Sequence, residues 1–410
     1  MVDKKILVII KFFYPDLTPC AFRFHGMLEF IAKNSNYKLT VITTLPHYRT
    51  TSKTPKAKYY EILDNIKIYR VKTPYFNEKL NNNAFFDIYI KNLYSDLIFM
   101  VEATLKAFSL KNFDILICSS PPLFAAFAGY IIAKIKKSKM ILDIRDLWIE
   151  DKTELGLLNC KPVIILLKFI ERIVLNGASA ITCTSNGIKF YTEKKINYKK
   201  IEVITNGVDY ENKVSIDPTF IKEQYKINKG SFLLLYAGKL GASQSLSSLI
   251  EGMKILSNYD VNLLIIGNGS DKKKIKSKIE EYNLKNVFLY PPAERALLQE
   301  FYSMANALLV HLKNIYPFFY TIPSKIYEYM VTDRPIIYGL QGEAKAILDY
   351  TRTGISFVPE DISSFVNAVL EVKENYNLYK EKIEERKIYV LSQYSRKVIS
   401  AQFLNFINQI

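Results

Sequence analysis

Strand-length apolar runs alternate with helix-spaced stretches along nearly the whole chain, in two separate series. The first series places strands at Ile6 to Ile10, Tyr37 to Thr43, Ile115 to Cys118, Met140 to Ile144, Ala180 to Cys183 and Ile201 to Ile204. Helical spacing fills the intervals, at Ala21 to Lys33, Asp87 to Leu110, Leu123 to Lys134 and Val163 to Leu175. Lys67 to Val71 is a further strand, expected antiparallel or peripheral. Continuous apolar runs are buried on both faces, and helices between them make the crossovers of a parallel sheet. The expected fold is therefore α/β, doubly wound and Rossmann-like. After the turn Asn206-Gly207-Val208-Asp209 a polar segment runs to about Gly230. The plan then repeats, with strands at Phe232 to Ala237, Val261 to Ile266, Val287 to Tyr290, Ala307 to Val310, Ile336 to Tyr338 and Ile355 to Val358. Two domains follow, 1–212 and 213–389, with helices from residue 361 onward.

A chain of 410 residues can bury two full cores. Its mean hydropathy of +0.01 belongs to a globular protein. The four cysteines (Cys20, Cys118, Cys160, Cys183) and three histidines (His25, His47, His311) are scattered, without metal-ligand or disulfide spacing. No metal is expected, and a reducing compartment fits best. No secretory leader is read at Met1, and no run of about twenty apolar residues is present. The expected location is cytoplasmic. The net charge of +16 suits a phosphate-bearing substrate, an anionic membrane surface or nucleic acid, and a lysine-rich solvated surface explains much of it. No zinc finger, RNP-like aromatic motif or helix-turn-helix supports nucleic acid.

One stretch carries the most chemistry: Pro323-Ser324-Lys325-Ile326-Tyr327-Glu328-Tyr329-Met330, followed by Arg334-Pro335 and a strand. Pro323 and Ser324 read as a helix start. First-turn N–H groups with Lys325 would attract phosphate, and Glu328, one turn inside, could grip hydroxyls beyond it. That arrangement suits a sugar nucleotide. Gly238-Lys239-Leu240-Gly241 follows a strand, so the backbone can approach a phosphate that Lys239 neutralises; an ordinary βα turn uses the same residues. Gln244 and Ser245 open the next helix. Gly267-Asn268-Gly269 is half a dinucleotide fingerprint and suits a tight turn toward a ligand. Tyr290 ends a strand, and Tyr320 closes an aromatic loop, Tyr316 to Tyr320, that leads into the helix. In the first domain, Arg145-Asp146-Leu147-Trp148 follows a strand, with Glu150, Asp151 and Glu154 behind. Arg145 and Asp146 are candidates for a ligand site, though an Arg–Asp pair can equally fix a loop. Ser119 to Pro122 reads as a helix cap. His25 and Arg23 sit on the first helix, and His47 and Arg49 in a loop after the second strand.

With these residues in order, the chain resembles the retaining glycosyltransferases of family 4. It is most similar to the bacterial group that adds aminosugars, such as N-acetylfucosamine, in O-antigen or capsule synthesis. The motifs are Arg145-Asp146-Leu147-Trp148, Asn206 to Asp209, Tyr236-Ala237-Gly238, Ile266 to Gly269, and Pro323 to Met330. The resemblance spans essentially the whole chain. It implies the GT-B fold, two Rossmann-like domains facing across a cleft, with a helix at about 390–410 packed back on the first. It implies the donor on the second domain, the acceptor on the first, and no metal or other cofactor. Lys239, Lys325 and Asp146 would be catalytic. Gly238, Gln244, Gly267, Gly269, Tyr290, Tyr320, Ser324, Glu328 and Arg145 would bind substrate, Glu328 on the ribose hydroxyls. The chain departs from the family at Tyr320, where a first glutamate is expected, at Gln244, where a basic residue is common, and near Asp146, where a histidine is frequent. The aminosugar subgroup shares these departures.

The mechanism implied is same-face displacement at the anomeric carbon, the leaving diphosphate being stabilised electrostatically. Uridine is the subgroup's usual base, and guanosine sugars occur among relatives. A polyprenyl-diphosphate-linked saccharide as acceptor would bring the first domain to the inner face of the cell membrane. Lys91 to Lys111 and Pro162 to Leu175 are the candidate contacts, the second reading more simply as a helix packed on the sheet. Rival readings are a sugar-nucleotide epimerase of the same fold and a non-catalytic nucleotide-sugar-binding protein. A nicotinamide dehydrogenase is disfavoured because no full GxGxxG opens either domain.

Overall fold

The computed structural model describes residues 4–46, 57–74, 84–196, 199–209, 223, 227–228 and 230–410, with the side chains of 84–90 and 296 excepted. Two compact units divide the chain, Met1–Gly207 with Arg396–Ile410, and Val208–Ser395. The change-over at Gly207 comes five residues before the sequence boundary of 212, because Val208 already pairs with Ser395 and its N–H bonds Tyr394 O.

In the first unit eight strands lie in the order β3-β4-β2-β1-β5-β6-β7-β8. They are β1 (Lys5–Ile9), β2 (Lys38–Thr44), β3 (Tyr60–Leu63), β4 (Ile66–Val71), β5 (Ile115–Ser120), β6 (Lys139–Ile144), β7 (Ala180–Cys183) and β8 (Lys200–Val203). All pairs are parallel except β3 with β4. The strand expected antiparallel or peripheral, β4, lies next to the sheet edge, parallel to β2 and antiparallel to the edge strand β3. Helix Pro19–Asn34 starts on Thr18, whose side chain accepts from Ala21 N–H. Its Arg23 is 2% exposed and donates to Asp143 Oδ1 of β6 (2.9 Å) and to Ile204 O (2.7 Å). Thr182 Oγ1 completes the carboxylate at 2.7 Å, so this buried ion pair is satisfied by hydrogen bonds, as such pairs must be. Helix Arg396–Asn408 packs on Pro19–Asn34 and puts Ile399, Phe403, Phe406 and Ile407 into the same core as Ile6, Val8 and Ile117.

In the second unit six parallel strands lie in the order β11-β10-β9-β12-β13-β14. They are β9 (Phe232–Ala237), β10 (Val261–Ile266), β11 (Val287–Tyr290), β12 (Ala307–His311), β13 (Ile336–Gly339) and β14 (Gly354–Ser356). Counted within the unit this is 3-2-1-4-5-6, whose strand order reverses between β9 and β12. In doubly wound sheets ligands bind at such a reversal, at the carboxyl ends of the strands. The loops after β9 and β10 lock together at that end. Gly238 N–H donates to Ile266 O (2.9 Å), Leu240 N–H to Asn268 O (3.0 Å) and Asp271 N–H to Leu240 O (2.9 Å). A Cβ on Gly267 would lie 1.9 Å from Gly238 O, and one on Gly269 2.1 Å from Leu240 O, at φ of +153° and +155°. Only glycine fits either place.

Gly267→Ala should therefore cost about 2 kcal/mol or more, from overpacking and a disfavoured backbone conformation together. Denaturant unfolding measures it, and a midpoint equal to wild type would refute the interlock as a constraint.

Candidate functional site

The glycine interlock presents one strand end to which a short helix delivers a cation. Helix Lys325–Met330 docks on β9 through Tyr329, whose hydroxyl accepts from Ala237 N–H at 3.0 Å. The dock sets Lys325 over the ring of Tyr236, 3.8 Å from its centroid, with Nζ donating to the Tyr236 hydroxyl at 2.6 Å. Tyr236 in turn donates to Lys239 O at 2.8 Å. The Lys325 ammonium lies so close to Gly238 that a Cβ there would meet Nζ at 2.6 Å. The Lys239 side chain is exposed on the same turn, its stem folded toward Gly241. Two lysines beside one glycine turn at a sheet's switch point give this strand end a positive potential that can attract an anion.

The other candidates of this unit fall around that turn. Gln244 Oε1 accepts from Gly241 N–H at 3.2 Å, so its carboxamide shapes the loop. Instead of opening a regular helix, Ser245 takes a left-handed conformation before a 310 turn at Leu246–Ser248. Tyr290 O accepts from Gly267 N–H at 3.1 Å, while its ring packs edge-on against Phe301. Ser324 precedes the short helix without a side-chain capping bond, and that helix has only six residues. A dipole that small leaves Lys325 as the main source of positive charge. Glu328 is half-buried one turn inside, and it is among the groups that hold the Tyr302 hydroxyl protonated, after burial. Tyr320 pairs its hydroxyl with that of Tyr316, and this bond pushes its pKa up to about 12.

Sequence reasoning gave no role to Tyr236, Tyr329 or His311. His311 ends β12, is 1% exposed and joins two loops. Its Nδ1–H donates to Gln244 O at 2.7 Å, and Nε2 accepts from Glu360 N–H at 3.0 Å. The Glu360 carboxylate accepts from Ser245 Oγ (2.9 Å) and Asn314 N–H (3.2 Å). One neutral imidazole thus braces the anion loop from behind. A solitary polar residue ending a buried strand was the available signal.

In the first unit Arg145 is spent on its own loop. It donates to Ser119 Oγ at 2.8 Å and to Pro121 O, so it fastens that loop. Pro122 is the N-cap of helix Leu123–Lys136, as expected of this segment, without a side-chain capping bond. Asp146 lines a cavity with Ser120, Leu123, Trp148, Ile149 and Glu171. Burial holds its carboxyl above the ordinary carboxylate range, against the pull of Arg145. Burial and then Asp146 push Asp151 up to about 8. Lys195 bridges Glu171 (2.6 Å) and Glu150 (3.3 Å) behind them. His47 and Arg49 lie outside the described residues.

Comparison with known proteins assigns the second unit. Residues 217–388 match the family model described as Glycosyl transferases group 1, so this unit carries a glycosyl transferases group 1 domain. WcaI of Escherichia coli (strain K12), whose name assigns it as a glycosyl transferase to colanic acid biosynthesis, is 22% identical over 324 residues, covering 75% of this chain and 76% of its own. Sucrose-phosphate synthase from Thermosynechococcus elongatus superposes with a TM-score of 0.74 at 14% identity, over 99% of this chain and 98% of its own. HepE from Anabaena, in complex with UDP and glucose, gives a TM-score of 0.74 at 12% identity, over 99% and 100%. The fold is thus GT-B, built of two Rossmann-like α/β domains.

Two predictions follow from the geometry of the anion loop. Lys325→Ala should weaken pyrophosphate binding by about tenfold or more, the worth of a charge-assisted hydrogen bond. Calorimetry reads this, and an unchanged affinity would refute the site. His311 is held down to about 4 by burial, below its ordinary 6.5. Because the folded value is the lower one, its contribution is whole above about pH 6.5. It is lost as pH falls toward 4, by about 3 kcal/mol in all. Unfolding of His311→Gln should depend less steeply on pH across that window than wild type, and equal slopes would overturn the assignment.

Proposed function

We propose that the protein is a retaining, metal-independent glycosyltransferase that moves a sugar from a nucleotide sugar to a lipid-linked saccharide in surface polysaccharide synthesis. The carrying observation is the Lys325 ammonium set against Gly238 at the switch point. UDP is the favoured nucleotide, supported by the UDP complex of HepE, and an N-acetylated deoxyaminosugar is the favoured sugar. The diphosphate lies on the turns at Gly238, Gly267 and Gly269, with Lys239 and Lys325 as its counter-charges. Glu328 takes the ribose hydroxyls, and Tyr320 and Tyr290 flank the bound nucleotide.

In the reaction the bond from the anomeric carbon to the diphosphate oxygen breaks as the acceptor oxygen attacks from the same face. The acceptor's hydroxyl proton passes to the leaving phosphate oxygen, so no separate protein base is required. Negative charge grows on the leaving oxygens, and the two lysines meet it where it develops. Asp146, in its desolvated cavity in the first domain, orients acceptor hydroxyls. A polyprenyl-diphosphate carrier places the protein at the inner, anionic face of the cell membrane.

Thermal shift and calorimetry with UDP, GDP, ADP and their sugar conjugates test this on wild type and Glu328→Ala. UDP compounds should bind selectively, and the substitution should weaken them about tenfold. Binding to none of them would overturn the reading. Free nucleotide with an altered sugar, formed without acceptor, would replace it with epimerisation.

A further inference from the structure

We propose that the outer face of helix Lys161–Gly177 is a docking surface for an anionic lipid bilayer, an inference that rests on the lipid-linked acceptor proposed above and names the surface involved. The helix is apolar on two sides. Inward, Val163, Ile164, Leu167 and Ile170 join a core cluster with Leu123, Phe124 and Ile149, against which Leu93 and Met100 of helix Ala84–Phe108 also pack. Outward, Ile165 is 68% exposed, Phe169 61% and Leu166 56%. These three sit within about one helical turn of one another, on one face. A water-facing helix surface with three adjacent large apolar side chains marks a partner.

The charges beside that face identify the partner. Lys161, Lys168 and Arg172 are all exposed and fall at helical spacing along one edge of the apolar strip, next to Ile165. The acid on this helix, Glu171, is turned to Lys195 at 2.6 Å, so the exposed edge is cationic. Apolar side chains with a row of cations along their border are the signature of a helix lying in a membrane interface. Helix Ala84–Phe108, which packs on the same cluster, also exposes apolar side chains, Leu97, Val101 and Leu105 at successive turns beside one exposed acid, Glu102. Among the described residues no helix is long and apolar enough to cross a membrane, so this contact would lie on the bilayer.

The test is co-sedimentation of the full chain with vesicles of phosphatidylglycerol and phosphatidylethanolamine, against vesicles of phosphatidylcholine alone. Wild type should bind the anionic vesicles preferentially. The triple variant Ile165→Ser, Leu166→Ser, Phe169→Ser should lose at least about tenfold of that binding. The variant Lys161→Gln, Lys168→Gln, Arg172→Gln should lose the preference for anionic lipid. UDP binding, measured on each protein, should stay at the wild-type level and shows that each variant is folded. Vesicle binding unmoved by both variants, with UDP binding intact, overturns the docking surface and leaves the transferase reading standing. Absence of UDP binding in every protein, with the vesicle pattern as expected, removes the transferase reading and leaves the surface. Loss of self-association in the apolar variant, with no vesicle binding by wild type, would make the face an interface between copies and overturn the proposal.

Discussion

Two backbones meet at the carboxyl end of β9 at a separation no side chain permits. Gly238 O sits where a Cβ of Gly267 would be, and Leu240 O where one of Gly269 would be. The approach holds because three N–H groups, on Gly238, Leu240 and Asp271, are satisfied across it. Once the two loops are joined, the turn at Gly238 has a fixed shape. The docked helix can then hold the Lys325 ammonium against it. Tyr236, Tyr329 and His311 keep the pieces in register from below and behind. The site is therefore rigid backbone with a cation added, an arrangement able to meet charge without rearranging.

The first unit is built differently. It carries several carboxyl groups close together: burial holds Asp146, Asp151 and Glu171 above their usual range, and Lys195 bridges Glu171 to Glu150. Carboxyl groups beside a cavity are suited to accept hydrogen bonds from the hydroxyl groups of a saccharide. That contrast supports dividing donor and acceptor between the units as proposed.

The doubly wound plan was readable because its strands are buried on both faces, so β9 stands out as an unbroken apolar run, and β1 after Lys5 and β10 after Asn262 do likewise. β3 escaped notice for the opposite reason: at an antiparallel edge it is half exposed, and its residues show no such run. The glycines and Lys325 were legible as a phosphate-binding pattern. Tyr236 was hidden inside a run of leucines, where a hydroxyl looks like one more large core residue. Arg145 could not be settled from sequence, since its role depends on the course of the Ser119–Pro122 loop, which only the tertiary structure fixes. The helix start at Ser324 was legible, but its length of six residues was not, since no sequence pattern marks the stop after Met330.

The return of helix Arg396–Asn408 to the first unit bears on how this protein comes into being. Domains commonly fold in the order in which they leave the ribosome. Here the core around Ile6, Val8 and Ile117 needs Ile399, Phe403, Phe406 and Ile407 to be closed. The second unit, whose residues are contiguous, can be complete while the first still presents an open apolar seam. The nascent first domain must therefore wait, partly formed, through the synthesis of the entire second one, and its exposure to chaperones and to aggregation is set by that delay.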